Sequence, residues 1–286
     1  MNSLGHVMEL SARDFNIVQR IVYEKIGIDL TEAKKALVVS RLSKRLRELK
    51  LNTFTQYYRY LQESPGETEI MFNCLTTNVT RFFREQHHFE SLYLECLPRW
   101  EAEIGDNFHK RKVRAWSAGC STGEEPYTLA MVLHDYFQGK KGWSINILAS
   151  DVNTDVLEKA RRGLYSHKEI EGIPYSYLKK YFKLGTGSNQ GFFKTKRMLQ
   201  ELVAFRRINL ASAEKYPAAG SLDLIFCRNV FIYFDREVRR QILERFHRCL
   251  QPGGLLFLGH SESINTLGGQ NGRWHMLRHT IYQRIP

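Results

Sequence analysis

A glycine-bearing turn between an apolar strand pattern and a helical pattern constrains this chain more than any other feature. Val113-Arg-Ala-Trp-Ser117 reads as a strand, Gly119-Cys-Ser-Thr-Gly123 as the turn, and Glu124 to Phe137 as a helix. The alternation then continues. Ile145 to Ser150 is a second strand ending on Asp151, and Asp155 to Gly163 is helical. Val203 to Ile208 precedes Asn209, Leu222 to Phe226 is another strand, and Arg236 to Leu250 is a long helix. Pro252-Gly-Gly254 turns the chain into Leu255–Gly259, and Thr280-Ile-Tyr-Gln283 reads as the last strand. Strands separated by helices pair in parallel through crossovers, so the expected fold is α/β, with a doubly wound, mostly parallel sheet.

The first 90 residues carry a different pattern. Ser11-Ala-Arg-Asp14 looks like a helix start, and Phe15, Val18, Ile21 and Val22 follow at amphipathic spacing. Thr31 is placed to cap a second helix bearing Val38, Leu42, Leu46 and Leu49 along one side, with Lys34, Arg41, Lys44, Arg45 and Arg47 on the other. A third helix is expected over Thr53–Glu63, broken by Ser64-Pro65-Gly66, and a fourth from Glu67. A chain of 286 residues suits two such units. The expected division is an all-helical domain over 1–68, a linker helix over 69–90 and the doubly wound domain over 91–286. Within the last, glycine-punctuated residues 181–201 read as a small antiparallel β insertion.

Several classes are excluded. No apolar run approaches the about 20 residues needed to cross a bilayer, and Met1 to Glu9 lacks the regions of a secretion signal. A soluble, cytoplasmic protein is expected. Five scattered cysteines show no C-x-x-C spacing, and the ten histidines form no metal-binding motif. Adjacent His87 and His88 are expected to point apart on a helix. No metal is expected. A formal charge of +12 favours an acidic partner, whether nucleic acid, anionic membrane or acidic protein.

A strand, a glycine turn and a helix form a natural anion or nucleotide cradle. The bland alternative is a tight strand–helix turn, but Asp151 ends the next strand and is placed to accept hydrogen bonds from ribose hydroxyls. Two nucleotide classes fit such a frame. A dinucleotide calls for G-x-G-x-x-G, and here Ser121 stands at the second glycine. Glu124 and Glu125 open the following helix, where carboxylates would repel a pyrophosphate. The cationic, phosphate-free amino-acid end of S-adenosylmethionine suits Glu125 better, which disfavours a nicotinamide-linked oxidoreductase.

Three segments now resemble a known family. Leu75-Thr-Thr-Asn-Val-Thr-Arg-Phe-Phe-Arg84, Ser117-Ala-Gly-Cys-Ser-Thr-Gly-Glu-Glu-Pro-Tyr127 and Phe226-Cys-Arg-Asn-Val-Phe-Ile-Tyr-Phe-Asp235 are similar to the chemotaxis receptor glutamate methyltransferases of the CheR type. The resemblance runs in order from about residue 11 to 284 and implies transfer of a methyl group from S-adenosyl-L-methionine to receptor glutamates, leaving S-adenosyl-L-homocysteine. It also implies the site. Asn78, Thr80 and Arg84 match linker positions that reach the cofactor, Glu125 its acid in the glycine loop, and Asp151 its ribose carboxylate. Asn209-Leu210 and Arg228-Asn229 match the pairs lining the adenine and methionine portions. The plainer alternatives are a loop cap for Asn209 and half of an ion pair that holds the fold for Arg228.

A glutamate acceptor is ionised at neutral pH, so no general base is required and catalysis rests on approximation and orientation. Arg84 and Tyr233 occupy the matching positions for holding the acceptor carboxylate and lining the methyl group, although Tyr233 also reads as core and Arg84 as surface. Seven of the seventeen residues from Lys34 to Lys50 are basic, against Glu48 alone. In the family this helix faces acidic methylation helices of the receptor, whose cytoplasmic region is therefore the expected partner of a monomer. The 181–201 insertion matches the subdomain with which some members bind the receptor's C-terminal peptide by strand addition. There Lys194, Lys196 and Arg197 are placed to meet carboxylates, while Leu184 replaces a cation found in some members.

The alternatives are an RNA or DNA methyltransferase using the basic surface, and a degenerate domain that senses cofactor or receptor without catalysis. Arg228-Asn-Val-Phe-Ile lacks the prolines usual in base-amino methylation. Residues 1–90 hold 13 basic and 11 acidic residues, so the excess charge is spread along the chain rather than gathered in a tail.

Overall fold

Two periodicities build two units. The first comprises residues up to Thr77 together with Tyr233–Asp235; the second comprises Asn78–Ile232 and the chain from Arg236 onward. The computed structural model describes residues 9–105, 107, 111–269 and 272–285. Residues 1–8, most of the stretch read above as lacking a secretion signal, lie outside them.

The helical unit contains α1 (Ala12–Ile26), α2 (Lys35–Glu48), α3 (Phe54–Glu63) and α4 (Glu67–Leu75). The Ser11 hydroxyl caps α1 by accepting from the Asp14 amide at 3.1 Å, and Gly27, at φ 71°, ends it in the left-handed region. A single 3₁₀ turn over Glu32–Lys34 intervenes before α2, so Thr31 makes no side-chain cap there. Thr53 and Gln56 form a reciprocal capping box on α3. The apolar stripes Phe15–Val18–Val22–Ile26, Val38–Leu42–Leu46 and Phe54–Tyr57–Leu61 are buried. Phe234 joins this core through a backbone bridge to Ile28, and Tyr23 donates to Asp235 at 2.5 Å.

The expected linker helix over 69–90 is interrupted. The α4 helix stops at Leu75, and helix resumes only at α5 (His87–Ser91), followed by one π-helical turn (Leu92–Cys96) and α6 (Leu97–Ile104). The threonines and Val79 between them are β-branched, and polar side chains there compete with helical backbone bonds. Phe83 and Glu85 both adopt positive φ, at 53° and 54°, which turns the chain sharply beside Arg84.

The second unit is built on β1 (Lys112–Ala118), α7 (Glu124–Phe137), β2 (Ser144–Asp151), α8 (Thr154–Arg162), β3 (Leu164–Ser166), α9 (Tyr175–Tyr181), β4 (Phe182–Leu184), β5 (Phe192–Thr195), α10 (Arg197–Gln200), β6 (Val203–Arg207), β7 (Leu222–Cys227), α11 (Arg236–Cys249), β8 (Leu250–Leu258), β9 (Trp274–Arg278) and β10 (Ile281–Arg284). Seven strands form one sheet in the order β6-β2-β1-β7-β8-β10-β9. The first five run parallel, and β10 and β9 close the sheet antiparallel. Every residue of β7 is buried, as both faces of a central parallel strand require. Chain order reverses between β1 and β7, and such a switch point opens a crevice at the carboxyl ends of the strands.

The insertion is larger than 181–201. The β3, β5 and β4 strands make a separate antiparallel sheet in that order, so Leu164–Ser166 supplies a strand that sequence reading left outside. A two-stranded hairpin alone would be marginal; the third strand makes the subdomain viable. No helix among the described residues is long and apolar enough to cross a membrane.

Candidate active site

The loop after β1 is held in shape by the strand beside it. The amides of Gly119 and Cys120 both donate to the Ser150 carbonyl at 2.8 Å, and the Ser121 amide donates to Asp151 Oδ2 at 2.9 Å. A Cβ on Gly119, at φ 84°, would stand 2.4 Å from a Val230 methyl, so glycine is required there. Ser121 lies at φ 48° and its hydroxyl donates to the Asn78 carbonyl at 2.9 Å. The glycine turn, the end of β2 and the start of the 78–86 segment are thereby tied into one wall.

Both Asp151 oxygens accept internally, since Oδ1 also takes the Asn153 amide at 3.0 Å. A carboxylate has about four acceptor positions, so acceptor capacity is left for a ribose. Burial lifts its pKa above the usual range, with the amides of Asn153, Ser121 and Val152 opposing. The Asn209–Leu210 pair follows β6, and the Ile208 amide donates to the Asp151 carbonyl at 3.2 Å. Asn209 Oδ1 accepts from the Ala211 amide, so it does serve as a loop cap, while Leu210 is buried.

The two acids that open α7 separate. Glu124 is buried and folds back to accept from the Thr122 hydroxyl at 2.6 Å, and burial raises its pKa. Glu125 accepts from the buried Ser117 hydroxyl at 2.7 Å and lies 3.7 Å from the Arg228 guanidinium. Burial lifts the Glu125 pKa, with Arg228 and Ser117 pulling it down and Glu85 adding to the rise.

Arg228, its side chain 2% exposed, is the hub of the site. It donates to the Arg84 carbonyl, lies 3.4 Å from Glu85, and packs over the rings of Phe89 and Phe226. The ion-pair reading of Arg228 therefore holds, with two carboxylates rather than one. The Arg84 guanidinium itself donates to the Val79 carbonyl at 2.8 Å, and Thr80 is half-buried nearby in the chain. Asn229, at φ 59°, donates through Nδ2 to Glu85 at 3.3 Å. Its backbone amide donates to Glu262, which also accepts from the Gly259 and Phe231 amides.

Glu85, Ser117, Asn153 and Glu262 were not singled out in the sequence. Glu85 was the most accessible of these, because it directly follows Arg84. A carboxylate pair and a histidine also lie at the site: Glu85 and Glu125 straddle Arg228, and His88 lies 3.5 Å from Glu85. His88 is fully buried, with Nε2 against the Thr280 hydroxyl, and burial followed by the Arg228 cation depresses its pKa to about 2. It is held neutral and is no base poised for substrate. Nor do His87 and His88 point apart; their rings are 4.2 Å apart, because the short α5 starts from a turn rather than from a continuous helix.

Tyr233 belongs to the helical unit. Its hydroxyl donates to the Thr77 carbonyl at 3.3 Å, its carbonyl accepts from the Asp29 amide, and the Lys34 ammonium sits over its ring. Of the basic side chains, Arg41 donates to the carbonyls of Leu75 and Thr76 and to the Thr77 hydroxyl. Arg45 forks onto buried Glu67, and Lys34 donates to the Asp29 carbonyl. Lys44 and Arg47 are exposed.

The donor set fits S-adenosylmethionine. Asp151 retains acceptor capacity suited to a ribose, and Glu125 is an acid suited to an ammonium. Arg228 Nε and Asn229 Oδ1 are buried without a hydrogen-bond partner. Buried polar atoms left open in one place signal a polar ligand or water.

Comparison with known proteins agrees. Residues 13–76 match the family described as CheR methyltransferase, all-alpha domain, and residues 78–281 match CheR methyltransferase, SAM binding domain. The chain is 45% identical over 251 residues, covering 88% of it and 86% of the relative, to chemotaxis protein methyltransferase 2 of Pseudomonas aeruginosa. It is 40% identical over 280 residues, covering 96% of it and 92% of the relative, to the chemotaxis protein methyltransferase of Escherichia coli strain K12. With both domains of one family matched in order, and such identity sustained along nearly the whole length, the chain belongs to the CheR methyltransferases.

Proposed function

We propose that this chain methylates glutamate side chains in the cytoplasmic region of chemotaxis receptors, giving glutamate methyl esters, and that it acts in the cytoplasm as a monomer. The observation that carries the site assignment is the buried Glu85–Arg228–Glu125 cluster at the carboxyl ends of β1 and β7, with Asp151 ending the neighbouring β2. S-adenosylmethionine, when bound, supplies an electrophilic methyl group on a sulfonium. Asp151 holds the ribose, Glu125 the amino group, and Arg228 with Asn229 the methionine portion; Asn209 and Leu210 line the adenine, and Asn78 and Thr80 contribute from the linker.

No proton has to move from the acceptor. A glutamate side chain is ionised at pH 7, so the work left to the protein is orientation and removal of water. Arg84 is the residue proposed to hold the acceptor carboxylate. The proposal for Tyr233 beside the methyl group rests on the family motif. The acidic receptor helix is met by Lys44 and Arg47, the exposed members of the basic set, while Lys34, Arg41 and Arg45 contribute mainly by shaping the helical unit. A second contact, with the receptor's C-terminal peptide, is assigned to the β3–β5–β4 sheet, where Leu184 is 66% exposed. No observation favours the nucleic-acid alternative.

The test is transfer of radiolabel from S-adenosylmethionine to membranes containing receptors, to RNA, or to buffer alone. Base-labile label on a membrane protein supports the reading; label on RNA, or none with receptor present, overturns it.

A further inference from the structure

Glu262 lies outside every motif used above. It is 2% exposed, burial raises its pKa with the amides of Gly259, Asn229 and Phe231 opposing, and no ion pair of the described residues includes it. Its carboxylate instead accepts three backbone amides. Oε2 takes Gly259 at 2.7 Å and Asn229 at 3.0 Å, and Oε1 takes Phe231 at 3.0 Å. Asn229 and Phe231 belong to the turn after β7, and Gly259 to the turn after β8. One buried carboxyl group therefore ties together the carboxyl ends of two adjacent strands and holds a non-glycine residue, Asn229, at φ 59°. The fit is close: a Cβ on Gly259 would stand 2.7 Å from both nitrogens of Asn229 and 2.8 Å from Glu262 Oε2.

We propose that Glu262 is the positioning residue that fixes the Arg228–Asn229 turn in the conformation that receives the cofactor. The inference rests on the assignment of that turn to the cofactor made above. An acid suits the task because it presents two acceptor oxygens without a competing donor. A glutamine presents one oxygen, and its amide nitrogen would face an N–H on one side of the clamp. The left-handed backbone at Asn229 costs free energy that the charged bonds offset.

The control is Asp223, also buried, at the opposite end of β7, where it accepts from the Arg114 amide and guanidinium. Binding of S-adenosylhomocysteine is measured by calorimetry, and thermal unfolding separately, for wild type, Glu262→Gln, Glu262→Asp, Gly259→Ala, Asp223→Asn and Asn229→Ala. Glu262→Gln is expected to weaken binding about tenfold or more, equivalent to one charged hydrogen bond, with Glu262→Asp recovering part of the loss. Asp223→Asn is expected to lower the melting temperature at unchanged affinity. Should Glu262→Gln fail to fold, Gly259→Ala, which crowds Asn229 without removing the charge, is expected to weaken binding in its place. Normal affinity in every folded Glu262 and Gly259 variant overturns the proposal, as does an equal affinity loss in Asp223→Asn. Normal affinity in Asn229→Ala overturns the assignment of the turn itself, a distinct failure.

Discussion

Replacing Asp151 tests the cofactor site most directly, provided its two roles are separated. The side chain holds the amides of Ser121 and Asn153 at 2.9 and 3.0 Å, and the proposed ribose contacts use its remaining acceptor capacity. Asp151→Ala removes both roles at once and frees Ser121 from its positive φ. Asp151→Asn keeps the shape and one acceptor oxygen while removing the charge. Each charged hydrogen bond is worth about 1.5–3 kcal/mol net. Water restores part of two such bonds, which leaves a loss of about 2–4 kcal/mol, or roughly 30- to 1,000-fold in affinity for Asp151→Ala. Asp151→Asn should lose less, about 1–2 kcal/mol. Wild-type affinity should itself weaken in mild acid, because the carboxyl pKa is raised by burial and the ribose is best held by the ionised form. Calorimetric titration with S-adenosylhomocysteine measures all three. Affinity within twofold of wild type for both variants, with cooperative unfolding intact, would refute the ribose assignment.

Arg84→Ala should depress turnover far more than cofactor affinity, as read by single-turnover methylation beside equilibrium binding; equal losses would make it a cofactor ligand alone. Reversing Lys44→Glu and Arg47→Glu together should cut receptor methylation and flatten its salt dependence, with stability changed by no more than about 0.5 kcal/mol per site. The same reversal at Arg41 would mislead, because its guanidinium holds the carbonyls at the end of α4; Arg41→Ala should cost about 2–4 kcal/mol in urea unfolding. His88 is neutral in the fold down to about pH 2, whereas the unfolded imidazole takes a proton near pH 6.5. Its contribution is therefore present above pH 6.5 and lost as pH falls, by about 1.4 kcal/mol between pH 7.5 and 5.5. His88→Gln should remove that slope in chemical unfolding, and a slope unchanged by the substitution would contradict it.

The parallel core was legible because buried strands such as Leu222–Cys227 are continuous apolar runs, and because Asp151 ends a strand beside a glycine turn. The edge strand Trp274–Arg278 was not, since its mostly exposed residues alternate only weakly. Arg41 and Arg45 read as part of an open basic face turned to the receptor because helical periodicity treats each helix alone. Their partners, the carbonyls at the end of α4 and the buried Glu67, lie on another helix and leave no local trace. Contacts between Asn229 and Glu85, 144 residues apart, or between Asn229 and Glu262, 33 apart, are likewise invisible to spacing rules. The proposed ligand residues stand in family motifs and can be named by resemblance; the buried groups packed around them leave no such mark.

The membership of Tyr233–Asp235 in the helical unit also bears on synthesis at the ribosome. Helices α1 to α4 emerge first, but Phe234, a buried part of their core, and Asp235, the partner of Tyr23, follow only about 160 residues later. At about 5–20 residues per second, that is a delay of about 8–30 s. During it, the seat of Phe234 stands open, and a nascent-chain binding factor or a protease meets apolar surface that the finished protein hides. An N-terminal fragment ending at Thr77 would keep that exposure permanently.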